Sequence, residues 1–417
     1  MNLLIKSAII IDPKSDFHNK KVDILIEKGI ISNIANQIKN TNNHKEITLE
    51  NLHVSQGWFD SSVSFGEPGY EERETIANGL NTAAKSGFTD IAVNANTNPI
   101  ICTNTDVAFL KSKAEKHAVD LHPIGALTQQ SNGNHLAELY DMHNAGAVAF
   151  ADYQKPIRNP NLMIIALQYA SNFGGLVCSF PQDQTISGKG VMNENVTSTT
   201  LGLKGIPNLA EELQIARDLF ILEYTDGTLH IPTISTAKSV ELIRDAKNKK
   251  LNVSCSVAIH NLIFTDENLN DFDTSFKVSP PLRTQNDIDA LIIGLKDGTI
   301  DMVTSDHNPL NIELKKVEFD FAAFGTIGLE SAFGALNSIF TLKKTIDLLT
   351  KGKERFGVET STINIGNKLN ITLFNPDNTS VFSIKDISSK SKNSMFLDTT
   401  LYGKVYGIYN NNKEILN

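Results

Sequence analysis

The chain lacks the residues that would make it a cross-linked scaffold, a membrane protein or a nucleic-acid binder. It has three cysteines in 417 residues, Cys102, Cys178 and Cys255. Their wide separation suggests neither a disulfide framework nor a Cys-x-x-Cys metal site. No apolar run approaches the roughly 20 residues needed to span a bilayer. The N-terminal MNLLIKSAIIIDPKSD is apolar, but Lys6 interrupts it and Asp12-Pro13 ends it in a turn. Without a basic leader and a small-residue cleavage site it reads as a first strand, and a cytoplasmic protein is expected. Basic residues number 38 against 47 acidic ones, a net charge of −9, with no Lys/Arg cluster to offset that average. Nucleic acid and anionic membrane need a basic surface and are not expected as partners. Repeats, heptads and low-complexity tracts are also missing; Ser388–Asn393 is a short polar loop.

What is present suits a soluble globular protein with one large and one smaller domain: 41% hydrophobic and 20% charged residues. The first fifty-odd residues read as short strands, Leu3–Ile11, Lys21–Glu27 and Ile30–Ile34, with β-branched enrichment and polar punctuation. From Gly57 onward short apolar runs alternate with longer amphipathic stretches. The runs include Asp90–Val93, Leu121–Leu127, Ala147–Phe150, Gly175–Ser179, Thr228–Ile231, Leu251–Val257 and Ile300–Val303. The helical stretches include Arg73–Ser86, Asn161–Asn172, Ala210–Glu223, Ala237–Lys247 and Gln285–Asp297. Continuous apolar strands alternating with helices predict a parallel sheet buried on both faces. About eight such units over roughly 280 residues fit a (β/α)8 barrel better than an open sheet. After Thr362 short strands return, Asn370–Phe374, Val381–Ile384 and Lys404–Tyr409. The expected α/β architecture is therefore a barrel over residues 56–361 and a small β-sandwich built from residues 1–55 and 362–417. In such a barrel chemistry sits at the loops that follow the strands.

Those loops carry the distinctive text. Gly57-Trp-Phe-Asp-Ser-Ser-Val-Ser-Phe-Gly-Glu-Pro-Gly69 is followed by Asn96-Thr-Asn-Pro99, Pro123-Ile-Gly-Ala-Leu-Thr128 and Ala145-Gly-Ala-Val-Ala-Phe-Ala-Asp152. Further on come Gly190-Val-Met-Asn-Glu194, Pro280-Pro-Leu-Arg283, Ser305-Asp-His307, Gly325-Thr-Ile-Gly-Leu-Glu330 and Leu369-Asn-Ile-Thr-Leu-Phe-Asn-Pro376. In this order the motifs resemble the cyclic amidohydrolases, and dihydroorotase in particular, along essentially the whole chain.

The resemblance implies a binuclear zinc centre held by four histidines and two aspartates, which generates hydroxide and polarises a ring amide. Here the two aspartates stand as Asp152 and Asp306. The histidine positions do not: Ser62 and Ser64 occupy the first pair, Phe180 the third and Thr233 the fourth. Histidine is scarce throughout, ten in all. A neutral hydroxyl is a poor zinc ligand and phenylalanine has no lone pair. Two carboxylates cannot recover most of the roughly 10–16 kcal/mol that a full ligand set supplies. The substrate clamp is reduced too. Gly66 stands where the family has an arginine, Ser279 where it has asparagine and Leu310 where it has histidine, leaving Asn96 alone.

Each remaining candidate also has a plainer reading. His307 stands where the family also keeps a histidine, and His260 matches a family histidine outside the metal shell, so both read as structural. His230 reads as a barrel-interior residue making a hydrogen bond. Cys178, with no histidine nearby, reads as an inert buried thiol. Asp152 and Asp306 read as a vestigial pair satisfied by backbone N–H and solvent, against weak Mg²⁺ or Ca²⁺ binding. The resemblance thus leads to a catalytically inactive dihydroorotase homologue with no cofactor. Its expected role is that of a homo- or hetero-oligomeric partner of aspartate transcarbamoylase in pyrimidine synthesis. Against it stand an active divergent dihydroorotase or cyclic amidase using Asp306 as general base, and a small-molecule sensor.

Overall fold

The computed structural model describes residues 2–269 and 271–417. The N-terminal strands are β1 (Leu3–Ile11), β2 (Lys21–Glu27), β3 (Ile30–Ala35), β4 (Lys45–Ile47) and β5 (His53–Gln56). The barrel strands begin with β6 (Trp58–Val63), β7 (Phe88–Val93), β8 (Asp120–Gly125), β9 (Ala149–Phe150) and β10 (Val177–Cys178). A parallel two-stranded pair, β11 (Met192–Asn193) and β12 (Gly205–Ile206), is inserted before β13 (Leu229–Ile231), β14 (Val253–Ala258) and β15 (Met302–Thr304). The C-terminal strands are β16 (Ile371–Val381), β17 (Thr400–Asn410) and β18 (Lys413–Leu416).

Eight strands run in the parallel order β15-β14-β13-β10-β9-β8-β7-β6. A parallel bridge from Val63 to His307 joins the two ends into a barrel. Asp60 staples that seam. Its carboxylate accepts from Thr304 Oγ1 at 2.5 Å and from the Ser305 N–H at 2.9 Å, while the Ser64 N–H donates to the His307 carbonyl at 2.7 Å. The strands are buried along their length, as the continuous apolar runs require. Helices Ile76–Lys85, Pro160–Ser171, Asn208–Thr225, Ala237–Asn248 and Gln285–Asp297 cover the outside.

The small domain is one continuous ladder, β18-β17-β16-β5-β1-β2-β3 with β4 on β1, wrapped around its own apolar core of Leu3, Ile5, Ile24, Leu373 and Tyr409. This is a β-sandwich beside a TIM-like barrel. Chain passes between them at Gly57, where any Cβ would sit 2.0 Å from both Asn370 Oδ1 and Thr89 Oγ1. Trp58 pins the junction. It is fully buried, stacks on Phe333 at 4.9 Å, packs at a tilt on Phe374 at 5.7 Å, and donates its indole N–H to Ser55 Oγ at 2.9 Å.

One local expectation changes. Val381–Ile384 is not a separate strand: Val381 ends the eleven-residue β16 and Ile384–Asp386 forms a 3₁₀ turn. Ser388–Asn393 is the short polar loop its composition suggests, and its bonds are specific. Glu330 accepts from the Ser389 N–H and hydroxyl, Glu74 from the Lys390 N–H, and Asn393 bridges Leu310 and Asn308. These polar residues exchange hydrogen bonds with the neighbouring backbone and carboxylates.

Candidate functional site

The loops at the C-terminal ends of the strands enclose a cavity of only about 30 Å³. That is room for about two water molecules. Its polar lining includes Ser62, Asn94, Asp152, Tyr153, Thr233 and Asp306, and its apolar lining Cys178, Phe180 and Phe356. Five of the sequence candidates therefore meet here: Ser62, Asp152, Phe180, Thr233 and Asp306. Ser64 lies just behind, tied to Ser62 through Asn94, whose amide donates to the two hydroxyls at 3.2 and 3.1 Å.

Asp306 is the chemical centre. It is buried, sits at φ 45°, and accepts one hydrogen bond, from Ser62 Oγ at 3.0 Å. Burial raises its carboxyl from 3.8 to about 7, opposed by Ser62 and reinforced by the nearby Asp60. Tyr153 faces the same space with a buried hydroxyl that has no hydrogen-bond partner; burial and the Asp306 charge push its pKa well up.

Asp152 is held elsewhere. Its two oxygens accept from the Thr128 N–H at 3.0 Å and from the Thr128 hydroxyl, and the Gly133 N–H in turn donates to that hydroxyl at 2.9 Å. A backbone N–H is among its partners, as expected, and the Thr128 hydroxyl is a further one. Burial also pushes its pKa up. Thr233 holds φ 50°, a left-handed conformation that is costly for a β-branched residue, and its N–H donates to Ser256 Oγ at 3.2 Å.

The substrate-clamp positions are not gathered in the cavity. Gly66 sits in a closed turn where a Cβ would lie 1.8 Å from the Tyr70 carbonyl oxygen. Ser279 is buried and uses its carbonyl to accept from Gln154 Nε2 at 3.1 Å. Leu310 is buried with its N–H on Asn393 Oδ1 at 3.1 Å. Asn96 is half-buried, its side-chain oxygen without a partner.

The three histidines are buried. His230 pairs with Ser254 Oγ at 2.9 Å, and burial lowers its pKa to about 3. His260 is buried with both ring nitrogens unpartnered and is lowered to about 3 by burial. His307 Nδ1 accepts from the Gly328 N–H at 3.2 Å, and burial takes it down to about 4. His307 therefore does not join Asp152 and Asp306 in the cavity lining. Among the described residues no group of three or more His, Cys, Asp or Glu is placed to hold a metal.

Retained motif residues far from the cavity form a separate buried network. Arg283 donates to Asn193 Oδ1 and to the Ile206 carbonyl, each at 2.7 Å, and Glu211 accepts from the Ser235 and Thr236 N–H groups. These motifs hold the β11–β12 insertion onto the barrel.

Sequence reasoning missed Asn94 and Tyr153. The available signal was position alone: Asn94 directly follows β7 and Tyr153 directly follows Asp152. Cys178 lines the cavity with its thiol pushed up to about 12 by burial. In the native protein at pH 8, thiol titration should therefore give one fast-reacting cysteine, the partly exposed Cys102, with Cys178 and the buried Cys255 reacting only on unfolding. Rapid native alkylation of Cys178 would show the cavity to be open and its thiol ionisable.

Comparison with known proteins yields a consistent set. A family model described as dihydro-orotase-like matches residues 53–239. Curated dihydroorotases from Pelotomaculum thermopropionicum and Acetivibrio thermocellus are 40% and 39% identical, each across 97% of this chain and 96% of its relative. Among solved structures, the L-hydantoinase of Arthrobacter aurescens superposes with a TM-score of 0.86 at 19% identity, covering 100% of this chain and 96% of the other. Dihydropyrimidinase from Brevibacillus agri gives 0.84 at 20% identity, with 100% and 95% covered. These structural likenesses carry the barrel-plus-sandwich fold.

Proposed function

The chain belongs to the dihydroorotase-like family, and from that premise we propose that it is a dihydroorotase homologue of pyrimidine biosynthesis that has lost catalysis. In this reading it persists in the cytoplasm as a structural or regulatory partner of aspartate transcarbamoylase. The observation that carries the loss of catalysis is the contact between Ser62 and Asp306. Where the family resemblance calls for imidazole and metal, a hydroxyl donates directly to the carboxylate inside a cavity of about 30 Å³. The residues present do not fit a binuclear zinc centre. Both Asp152 oxygens are occupied by Thr128, both Asp60 oxygens by the barrel seam, and Phe180 offers no donor. Without a metal, attack on a ring amide lacks both the hydroxide and the electrophile.

The partner half of the reading draws support from helix Asn208–Thr225. Leu209, Leu213, Phe220 and Tyr224 are exposed on it, the last two at 72% and 74%. At 3.6 residues per turn these four fall within about 60° of one another, an outward apolar stripe of the kind that marks protein contacts.

A second reading, an active but divergent dihydroorotase, is favoured by one feature: the Asp306 carboxyl lies near 7, in the range a general base needs. Purified protein separates the two. We expect no stoichiometric zinc by elemental analysis and no dihydroorotate formation or hydrolysis above the blank. Activity at the rates of an ordinary dihydroorotase would overturn the proposal. Aspartate transcarbamoylase should co-purify with the untagged protein from its own cells, and its absence there would remove the partner claim.

A further inference from the structure

A roomier hollow than the barrel-mouth cavity lies elsewhere in the molecule. A cleft of about 540 Å³ lies at the opposite end of the barrel, where the N-terminal ends of β7 and β8 meet the small domain. Small-molecule sites commonly measure about 300–1,000 Å³ and favour domain junctions. We propose that this cleft binds a small phosphorylated metabolite through a multiply charged phosphate group.

Three lysines converge on it from distant parts of the chain. Lys28 comes from the β2–β3 turn, Lys111 from helix Asn104–Ala114 and Lys368 from the segment entering β16. Among the described residues none of the three forms an ion pair. In a chain of net charge −9, three unpaired cations around one hollow are a local reversal of sign.

The lining carboxylates are mostly committed. Asp90 accepts from Lys353 Nζ at 2.7 Å and pairs with His122 Nε2 at 3.0 Å. Burial alone would raise Asp90, but Lys353 and His122 hold it well below the usual carboxylate range. Asp120 accepts from Asn410 and Asn411 at 3.0 and 2.9 Å. The exposed Glu359 is the remaining lining carboxylate. Counting Asp120 and Glu359 against the three lysines, with Lys353 cancelling Asp90, leaves the hollow net positive.

The floor is closed by Asn370, whose buried Oδ1 packs against Gly57 at the domain junction. Asn412 packs over the turn at Gly29, where φ is +78° and a Cβ would lie 1.7 Å from its Oδ1. That turn in turn positions Lys28.

Inorganic tripolyphosphate, titrated calorimetrically into the full chain at fixed ionic strength, tests this. We expect saturable 1:1 binding that weakens as salt is added. The paired change Lys28→Ala with Lys368→Ala should weaken it roughly tenfold or more, since each ammonium–phosphate bond is charge-assisted. Lys111→Ala supplies an independent exposed variant with the same direction. Asp306→Asn, at the other end of the barrel, should leave the affinity unchanged whatever the fate of the catalytic reading. No saturable binding, or equal affinity in the lysine variants, would overturn the proposal.

Discussion

Asp306→Asn should make this protein more stable at pH 8, an outcome opposite to that expected of a metal ligand. In the folded protein burial raises the Asp306 carboxyl from 3.8 to about 7. Between about pH 4 and 7 the folded state therefore keeps a proton that the unfolded chain has released. The stability contributed by this group falls as pH rises through that window, and the deficit is complete above pH 7. Three units at 1.36 kcal/mol each set an upper figure of about 4 kcal/mol. Asparagine keeps the acceptor for Ser62 Oγ and never ionises. Relative to the wild type, the variant should gain up to about 4 °C in unfolding temperature at pH 8, given roughly 1 °C per kcal/mol at this chain length. The gain should shrink toward zero at pH 4. Thermal unfolding of both proteins at the two pH values checks it. A variant that is less stable at pH 8, and that loses bound zinc, would place Asp306 in a working metal centre.

Gly66→Ala should be among the most damaging single-methyl additions in the chain, and Gly66→Arg no milder. The added Cβ would stand 1.8 Å from the Tyr70 carbonyl oxygen, a backbone atom that no side-chain rotation can move. The turn is also pinned on both sides: the Gly66 N–H donates to the Glu74 carbonyl at 2.9 Å, and the Tyr70 N–H donates to the Gly66 carbonyl at 2.8 Å. Relieving the clash costs those bonds, an expected loss of about 3 kcal/mol or more. Denaturant midpoints with unchanged slope would show it. Wild-type stability in Gly66→Arg would mean that the side chain reaches the mouth and that the substrate clamp is recoverable by one substitution. The expected result is that the family's arginine has no place in this turn.

The periodic parts of the fold were legible. Leu3–Ile11, Lys21–Glu27 and Gln285–Asp297 form at the residues their patterns predict, because alternation and the 3.6-residue repeat are local signals. Short barrel strands were harder to bound. Ala147–Phe150 and Gly175–Ser179 are largely apolar, yet only Ala149–Phe150 and Val177–Cys178 are laddered strands. Apolar text records burial, whereas the ladder depends on neighbours remote in sequence.

The substitutions at Ser62, Ser64, Phe180 and Thr233 were also visible by motif order alone. What each replacement does was not. Ser62 lies 244 residues from Asp306 in the chain, and only closure of the barrel brings its hydroxyl to 3.0 Å from that carboxylate. The Thr128 clasp on Asp152, the unpartnered Tyr153 hydroxyl and the closed turn at Gly66 arise the same way. Sequence by itself determined the ancestry, the barrel and which donor atoms are missing, because side-chain chemistry is written residue by residue. Tertiary structure alone decided the charge state of Asp306 and the size of the cavity around it, because desolvation is set by everything packed within a few ångströms, wherever in the chain it comes from.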